Sequence, residues 1–243
     1  MPGAGRVAVT GACGRIGRAL VEHLTERGYD LLLLDQPGRG LDTMRDRGDV
    51  VELDLAEQAP DGLYDGVEVV IHLAGEASET APWERLLPSN IGASYHVAHG
   101  AMKARCRRVI FASSVHAVLA SAHRPVAPDG YVAPADLYGV SKCFVEALAF
   151  WCAHHGPISA AAVRIGGVLD LEEIAAGHAH AMADLFIAAP DLLALLERAI
   201  IAEYRFAILH AAAPGPQALL DTRATEDLLR WSAQHRVPPA ADG

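Results

Sequence analysis

The chain has 243 residues, with 20 Lys plus Arg against 30 Asp plus Glu, for a formal net charge of −10. Apolar residues make up 51% and charged residues 21%, so a large core can form and wholesale disorder is excluded. The acidic balance supplies no basic patch and disfavours anionic bilayers, so neither nucleic acid nor a membrane is expected as a partner, and no apolar run reaches the roughly 18 residues of a spanning helix.

In chain order, a short lead without a secretory pattern runs into a predicted strand at 7–10. A helix follows over 15–27, then strands at 30–35, 50–54 and 67–72. A long helix is expected over 82–104, a strand over 108–113, a helix over 135–155 and a strand over 159–165. Runs such as Leu31-Leu32-Leu33-Leu34 are apolar on both faces, as strands of a covered parallel sheet must be. The alternation predicts an α/β fold, a doubly wound parallel sheet over residues 1–168. Residues 169–243 read as a small C-terminal substrate-binding region, not an independent domain. There 169–185 is mixed, 191–201 helical, 206–210 a strand, 212–216 a loop, 222–231 helical and 237–243 frayed. The four cysteines, Cys13, Cys106, Cys143 and Cys152, match neither a zinc site nor a disulfide framework. They are expected to be free, mostly buried thiols, which fits a cytoplasmic protein.

The first strand ends in Thr10-Gly11-Ala12-Cys13-Gly14-Arg15-Ile16-Gly17. Gly11 suits a tight turn, Gly14 a close approach of backbone to a pyrophosphate, and Gly17 close packing of helix on sheet. The helix N-terminus then offers N–H groups and the positive end of its dipole to phosphate. Asp35 ends the second strand, where a carboxylate accepts hydrogen bonds from ribose hydroxyls and repels a 2′-phosphate. NAD is therefore expected over NADP, with Arg15 and Arg39 as the residues able to favour the latter. Asp54 is placed to bond an adenine amino group or to serve as a turn residue. Leu73-Ala74-Gly75 closes the fourth strand with small residues under a flat cofactor.

Tyr138 and Lys142 lie four residues apart on one helix face. A nearby ammonium, together with the positive charge of an oxidised nicotinamide, favours the phenolate, which can exchange a proton with a substrate hydroxyl while hydride moves to or from NAD. Ser114 stands at the C-terminal end of the fifth strand, where such sheets bind ligands. Asn90 falls inside the helix predicted over 82–104, where a polar role or a surface place both fit. No metal site is expected, since His178 and His180 lack a third ligand.

Together TGxxGxxG, Asp35, Asp54-Leu55, Leu73-Ala74-Gly75, Asn90, Ser113-Ser114 and Tyr138-x-x-x-Lys142 resemble the short-chain dehydrogenases/reductases, in the extended branch of NAD-dependent epimerases and dehydratases. The resemblance covers about the first 170 residues. It implies a Rossmann sheet, a homodimer or higher homo-oligomer, and a small-molecule substrate. It also implies that Ser114, Tyr138 and Lys142 are catalytic and that Asn90 helps to hold a proton-relay water. The cofactor would contact Gly11, Cys13, Gly14, Arg15, Ile16, Gly17, Asp35, Asp54, Leu55, Leu73, Ala74, Gly75, Tyr138, Lys142 and Ile165.

Within the branch, residues 108–116, 138–144 and 163–166 are similar to uronate dehydrogenases. That likeness places Ala77, Ser114, Val115, His116 and Gly167 at the substrate. Three of these depart from it: Val115 stands for an asparagine, and Ala77 and Gly167 each stand for a serine. No arginine occurs between Leu169 and Arg198 to anchor a carboxylate. The resemblance thus implies an NAD-dependent dehydrogenase acting on a CH–OH group of a small sugar-like molecule. The alternatives are an epimerase or dehydratase that recycles NAD, or a non-catalytic dinucleotide sensor.

Overall fold

The computed structural model describes residues 5–57, 59–215 and 218–236. Seven parallel strands form one sheet in the order β3-β2-β1-β4-β5-β6-β9. They are β1 (Arg6–Thr10), β2 (Leu31–Asp35), β3 (Asp49–Glu52), β4 (Val67–His72), β5 (Arg108–Ser114), β6 (Ser159–Ile165) and β9 (Phe206–Ala211). The order reverses between β1 and β4, which opens a crevice at the C-terminal strand ends. A separate parallel pair, β7 (Gly167–Leu169) and β8 (Phe186–Ala188), sits beside it.

Alternation along the strands assigns each face its helices. Val7, Val9, Leu31, Leu33, Val69 and Ile71 pack with α1 (Arg15–Glu26) and α7 (Ala189–Ile201). On the other face Ala8, Leu32, Leu34 and Val70 pack with α3 (Ala93–Lys103) and α4 (Leu137–His155). Each fully buried aliphatic side chain of these layers contributes about 1.5–3 kcal/mol. Buried Arg108 ties the layers together: it donates to the Ala199 and Ile200 carbonyls at the end of α7 and to Ser159, and its guanidinium lies 3.8 Å from the Tyr204 ring centroid.

The long helix expected over 82–104 is interrupted. It begins as α2 (Trp83–Leu86), passes through a π-helical stretch at Leu87–Gly92, and resumes as α3. Pro88 lacks an N–H, and the stretch carries its hydrogen bonds with a wider spacing. β3 ends at Glu52, short of Asp54, and α4 begins at Leu137 because Asp136 caps it. The helix expected over 222–231 is shorter, as α8 (Arg223–Leu229). β7 and β8 were not expected: three residues are too few for a period of two to register. Two short helices, α5 (Leu171–Ala175) and α6 (His178–Ala181), join them.

Cys13, Cys106 and Cys152 are buried, Cys143 is partly so, and all four are free. The expected frayed tail at 237–243 and Pro216 of the expected loop lie outside the described residues. Among the described residues no helix is long and apolar enough to cross a membrane.

Candidate active site

The chain turns from β1 at Gly11, whose φ of +70° lies in the left-handed region. A Cβ there would sit 2.7 Å from the Ala74 nitrogen. At Gly17 a Cβ would run into the Gly11 carbonyl oxygen, so helix and loop meet backbone to backbone. Gly14 is the N-cap of α1 and supplies no side-chain hydrogen bond. The first N–H groups of that helix, from Arg15 and Ile16 onward, are left for a ligand.

The Asp35 carboxylate braces the same loop, accepting from the Cys13 N–H at 2.7 Å and the Gln36 N–H at 2.8 Å. Burial, with Asp35 alongside, pushes the Cys13 thiol up, so it is not a reactive thiolate. Arg39 stands 4.0 Å from Asp35. Arg15 is committed elsewhere, to Glu173 and to Asp170 at the start of α5.

Asp54 lies beyond β3 and accepts from the Ala56 N–H at 2.9 Å, a turn bond within its own loop. Leu55 is buried against Ala93 and Val97. Leu73 and Ala74 are half-buried, Gly75 is exposed, and Ile165 ends β6. The glycine loop, the uncapped helix and the acidic residue fit a dinucleotide.

Behind the crossover, the Thr10 hydroxyl lies 2.7 Å from His72 Nδ1 and accepts from the Ala74 N–H. His72 Nε2 meets Ser94 at 3.1 Å. Burial, then the Lys142 charge, drives His72 down to about 3, so it stays neutral.

Ser114, Tyr138 and Lys142 come together at the C-terminal end of β5 and the first turns of α4, all buried. Asp136 caps α4 by accepting from the Gly139 N–H at 2.7 Å, which fixes the turn carrying Tyr138. Ser114 Oγ accepts from the His116 N–H at 3.2 Å. Lys142 Nζ donates to the Ala112 carbonyl at 2.9 Å and stands 5.4 Å from the Tyr138 ring centroid. Burial lowers Lys142 to about 8.

Within the chain itself, the groups around Tyr138 favour the phenol over the phenolate. Burial pushes the phenol up, the neighbouring Ser114 hydroxyl pulls it back in part, and Asp136 and Glu76 push it further up. The chain's own groups therefore keep it protonated at neutral pH.

Asn90 is tied into the fold by its amide. Its side chain is buried in the π-helical stretch. Nδ2 donates to the Glu76 carbonyl at 3.0 Å and to Ser141 Oγ at 2.9 Å, while Oδ1 accepts from the Glu76 N–H and the Ser89 hydroxyl. Both amide hydrogens are taken by protein, and the single Ser89 hydrogen is shared between Oδ1 and the Arg85 carbonyl, so the amide braces the loop after β4 against α4.

Val115 turns into an apolar cluster with Val118, Val126, Leu219 and Leu220. Ala77 is exposed, and Met182 covers Gly167. His116 packs edge-on against Tyr138, with ring centroids 5.3 Å apart. Among the described residues one cluster of possible metal ligands occurs, Glu79, His116 and Asp136, and it does not include His178 and His180 of α6.

Two groups of residues escaped sequence reasoning. Asp136 was legible as an acidic cap directly before a helix. The buried set of Ser113, Glu146 and Arg164, which joins β5, α4 and β6 through bonds of 2.8 Å, had no sequence signal because its members lie far apart in the chain.

Residues 7–169 match the NAD dependent epimerase/dehydratase family. The chain is 35% identical over 179 residues to the NAD-dependent glucose-6-phosphate dehydrogenase of Haloferax volcanii, covering 67% of this chain and 68% of that one. It is 33% identical over 183 residues to the L-arabinose 1-dehydrogenase (NAD(P)(+)) of the same organism, covering 70% and 69%. A mutated uronate dehydrogenase of known structure superposes with a TM-score of 0.81 at 28% identity, covering 96% of this chain and 82% of that one. The switch-point crevice, the glycine loop and these matches agree: the chain belongs to the NAD-dependent epimerase/dehydratase family.

Proposed function

We propose that this chain is an NAD-dependent dehydrogenase that oxidises a secondary or hemiacetal hydroxyl of a small, unactivated sugar, or reduces the matching carbonyl. The observation that carries this is the meeting of Ser114, Tyr138 and Lys142 at the C-terminal end of β5, the same edge of the parallel sheet at which β1 runs into the Gly11–Gly17 loop. NAD, when bound, takes up or returns the hydride.

The chain's residues do the rest. Gly11, Gly14 and the start of α1 hold the pyrophosphate, and Asp35 takes the ribose hydroxyls and selects against a 2′-phosphate. Ser114 orients the reacting oxygen. Tyr138 takes its proton, or gives one back in reduction. Lys142, fixed by the Ala112 carbonyl, contributes the positive charge that favours the phenolate at the moment of transfer.

The substrate carries no carboxylate. From Leu169 to Glu197 there is no arginine to receive one, and the acidic pair Asp170 and Glu173 is turned to Arg15. We place the protein in the cytoplasm on its free thiols. We also read it as a homodimer, supported by the exposed Tyr95 on α3 and the exposed Phe150 and Trp151 on α4.

The test is a panel of aldoses, uronates and polyols offered with NAD while absorbance of NADH is followed. Net NADH is expected with an uncharged aldose. Product without net NADH would replace this assignment with a self-recycling epimerase or dehydratase.

A further inference from the structure

At the rim of the site, Glu79, His116 and Asp136 converge from three separate segments. Asp136 uses one oxygen to cap α4 and sets the other 2.7 Å from His116 Nδ1. A carboxylate only accepts, so Nδ1 carries the hydrogen, and the lone pair of the neutral ring is on Nε2. Nε2 lies 3.7 Å from a Glu79 oxygen, beyond hydrogen-bond reach. In the neutral ring, Nε2 and the Glu79 oxygen are thus two acceptors that face one space. That space adjoins the reaction centre, because the His116 ring packs against Tyr138 and its N–H holds Ser114.

The charge has one sign in either state of the imidazole. Two carboxylates stand against at most one positive charge. Neighbouring cations are engaged: Arg85 with Glu76, Lys142 with the Ala112 carbonyl, and Arg15 with Glu173. A divalent metal ion would find only His116 Nε2 and Glu79 free as ligands, since Asp136 is spent on the cap and on Nδ1. A group carrying several donors and a positive charge fits better, because one nitrogen about 2.9 Å from each acceptor satisfies both.

We propose that Glu79 and His116 form a subsite for the ammonium group of an amino sugar, with Glu79 as the residue that determines specificity. Asp136 positions the imidazole. The proposal rests on the dehydrogenase assignment for its substrate class. It extends that assignment by naming the charged group and the residues that read it.

The experiment measures kcat/KM with NAD for D-glucosamine, D-glucose and D-glucuronate at neutral pH, in the wild-type protein and in Glu79→Gln. Calorimetric titration of each sugar into NAD-loaded protein runs in parallel. The expected order is glucosamine, then glucose, then glucuronate. Because Glu79 is largely exposed, its charge is worth about fivefold in the glucosamine-to-glucose ratio, which Glu79→Gln removes. Asp136→Asn, which lets Nδ1 accept instead, lowers the same ratio.

A ratio unmoved by Glu79→Gln, or a preference for glucuronate, overturns the subsite. Tighter calorimetric binding of glucosamine that is lost in Glu79→Gln, without any NADH, keeps the subsite and removes only the dehydrogenase assignment.

Discussion

The two walls of the crevice are made of different material. The cofactor wall is mostly backbone: Gly11, Gly14, Gly17 and the open end of α1, with one carboxylate to brace them. The substrate wall is mostly side chains, from Glu76, Glu79, Asn90, Ser114, His116 and Tyr138, set by a few hydrogen bonds and by the packing of His116 on Tyr138. A backbone wall fixes what binds through shape, and few residue types satisfy it. A side-chain wall can be respecified one residue at a time.

Substitutions should separate the walls. The largest effect is expected from Tyr138→Phe, which lowers kcat by about 10³-fold, as loss of a positioned proton-transfer group does, while NAD affinity by fluorescence titration stays within about threefold. In the wild type, burial pushes this phenol up. The rate of alcohol oxidation should therefore rise with pH across the neutral to alkaline range and the rate of carbonyl reduction should fall. A flat pair of profiles would remove Tyr138 as the proton carrier.

Lys142→Met should cost about 10²-fold in kcat and yet raise thermal stability. Lys142 is held at about 8, below the ordinary lysine value. Below pH 8 both folded and unfolded chains carry the charge, and the folded one bears the desolvation. Between about 8 and the ordinary value the unfolded chain binds more protons, so wild-type stability climbs with pH. The variant's advantage, roughly 2 kcal/mol at pH 7, should shrink across that window. Calorimetric melting at several pH values checks it.

On the cofactor wall, Asp35→Ala should weaken NAD about tenfold and NADP much less, since it removes both an acceptor and a repulsive charge. Equal loss for the two would place the ribose elsewhere. The smallest change in activity is expected from Asn90→Ala. It leaves the Glu76 amide and carbonyl unpaired, and should lower stability by about 1–3 kcal/mol with only a severalfold fall in kcat.

The same division explains what could be read from the chain. The glycine loop and Asp35 were legible because their spacing is demanded by backbone geometry next to a strand and a helix. Tyr138 and Lys142 were legible because four residues make one helical face. Asn90 stood out as a polar residue in a helix, but beyond the adjacent Ser89 its partners are Glu76 of a loop and Ser141 of another helix, and no local pattern announces them. Glu79 was invisible for a similar reason, since an exposed glutamate gains meaning only when His116 is found 3.7 Å away. β7 and β8 were too short to show a period, and the π-helical stretch hid inside an otherwise helical pattern.

The place of β9 has a consequence for how the molecule is made. β6 carries Ala160, Ala161 and Ala162 between β5 and β9. On a ribosome, β6 emerges well before its neighbour at 206–211 does. Throughout that interval a row of unpaired amides flanked by small apolar side chains is open to any other nascent chain. Release of a chain cut short before β9 would leave that edge permanently bare, and such a fragment would aggregate rather than bind coenzyme.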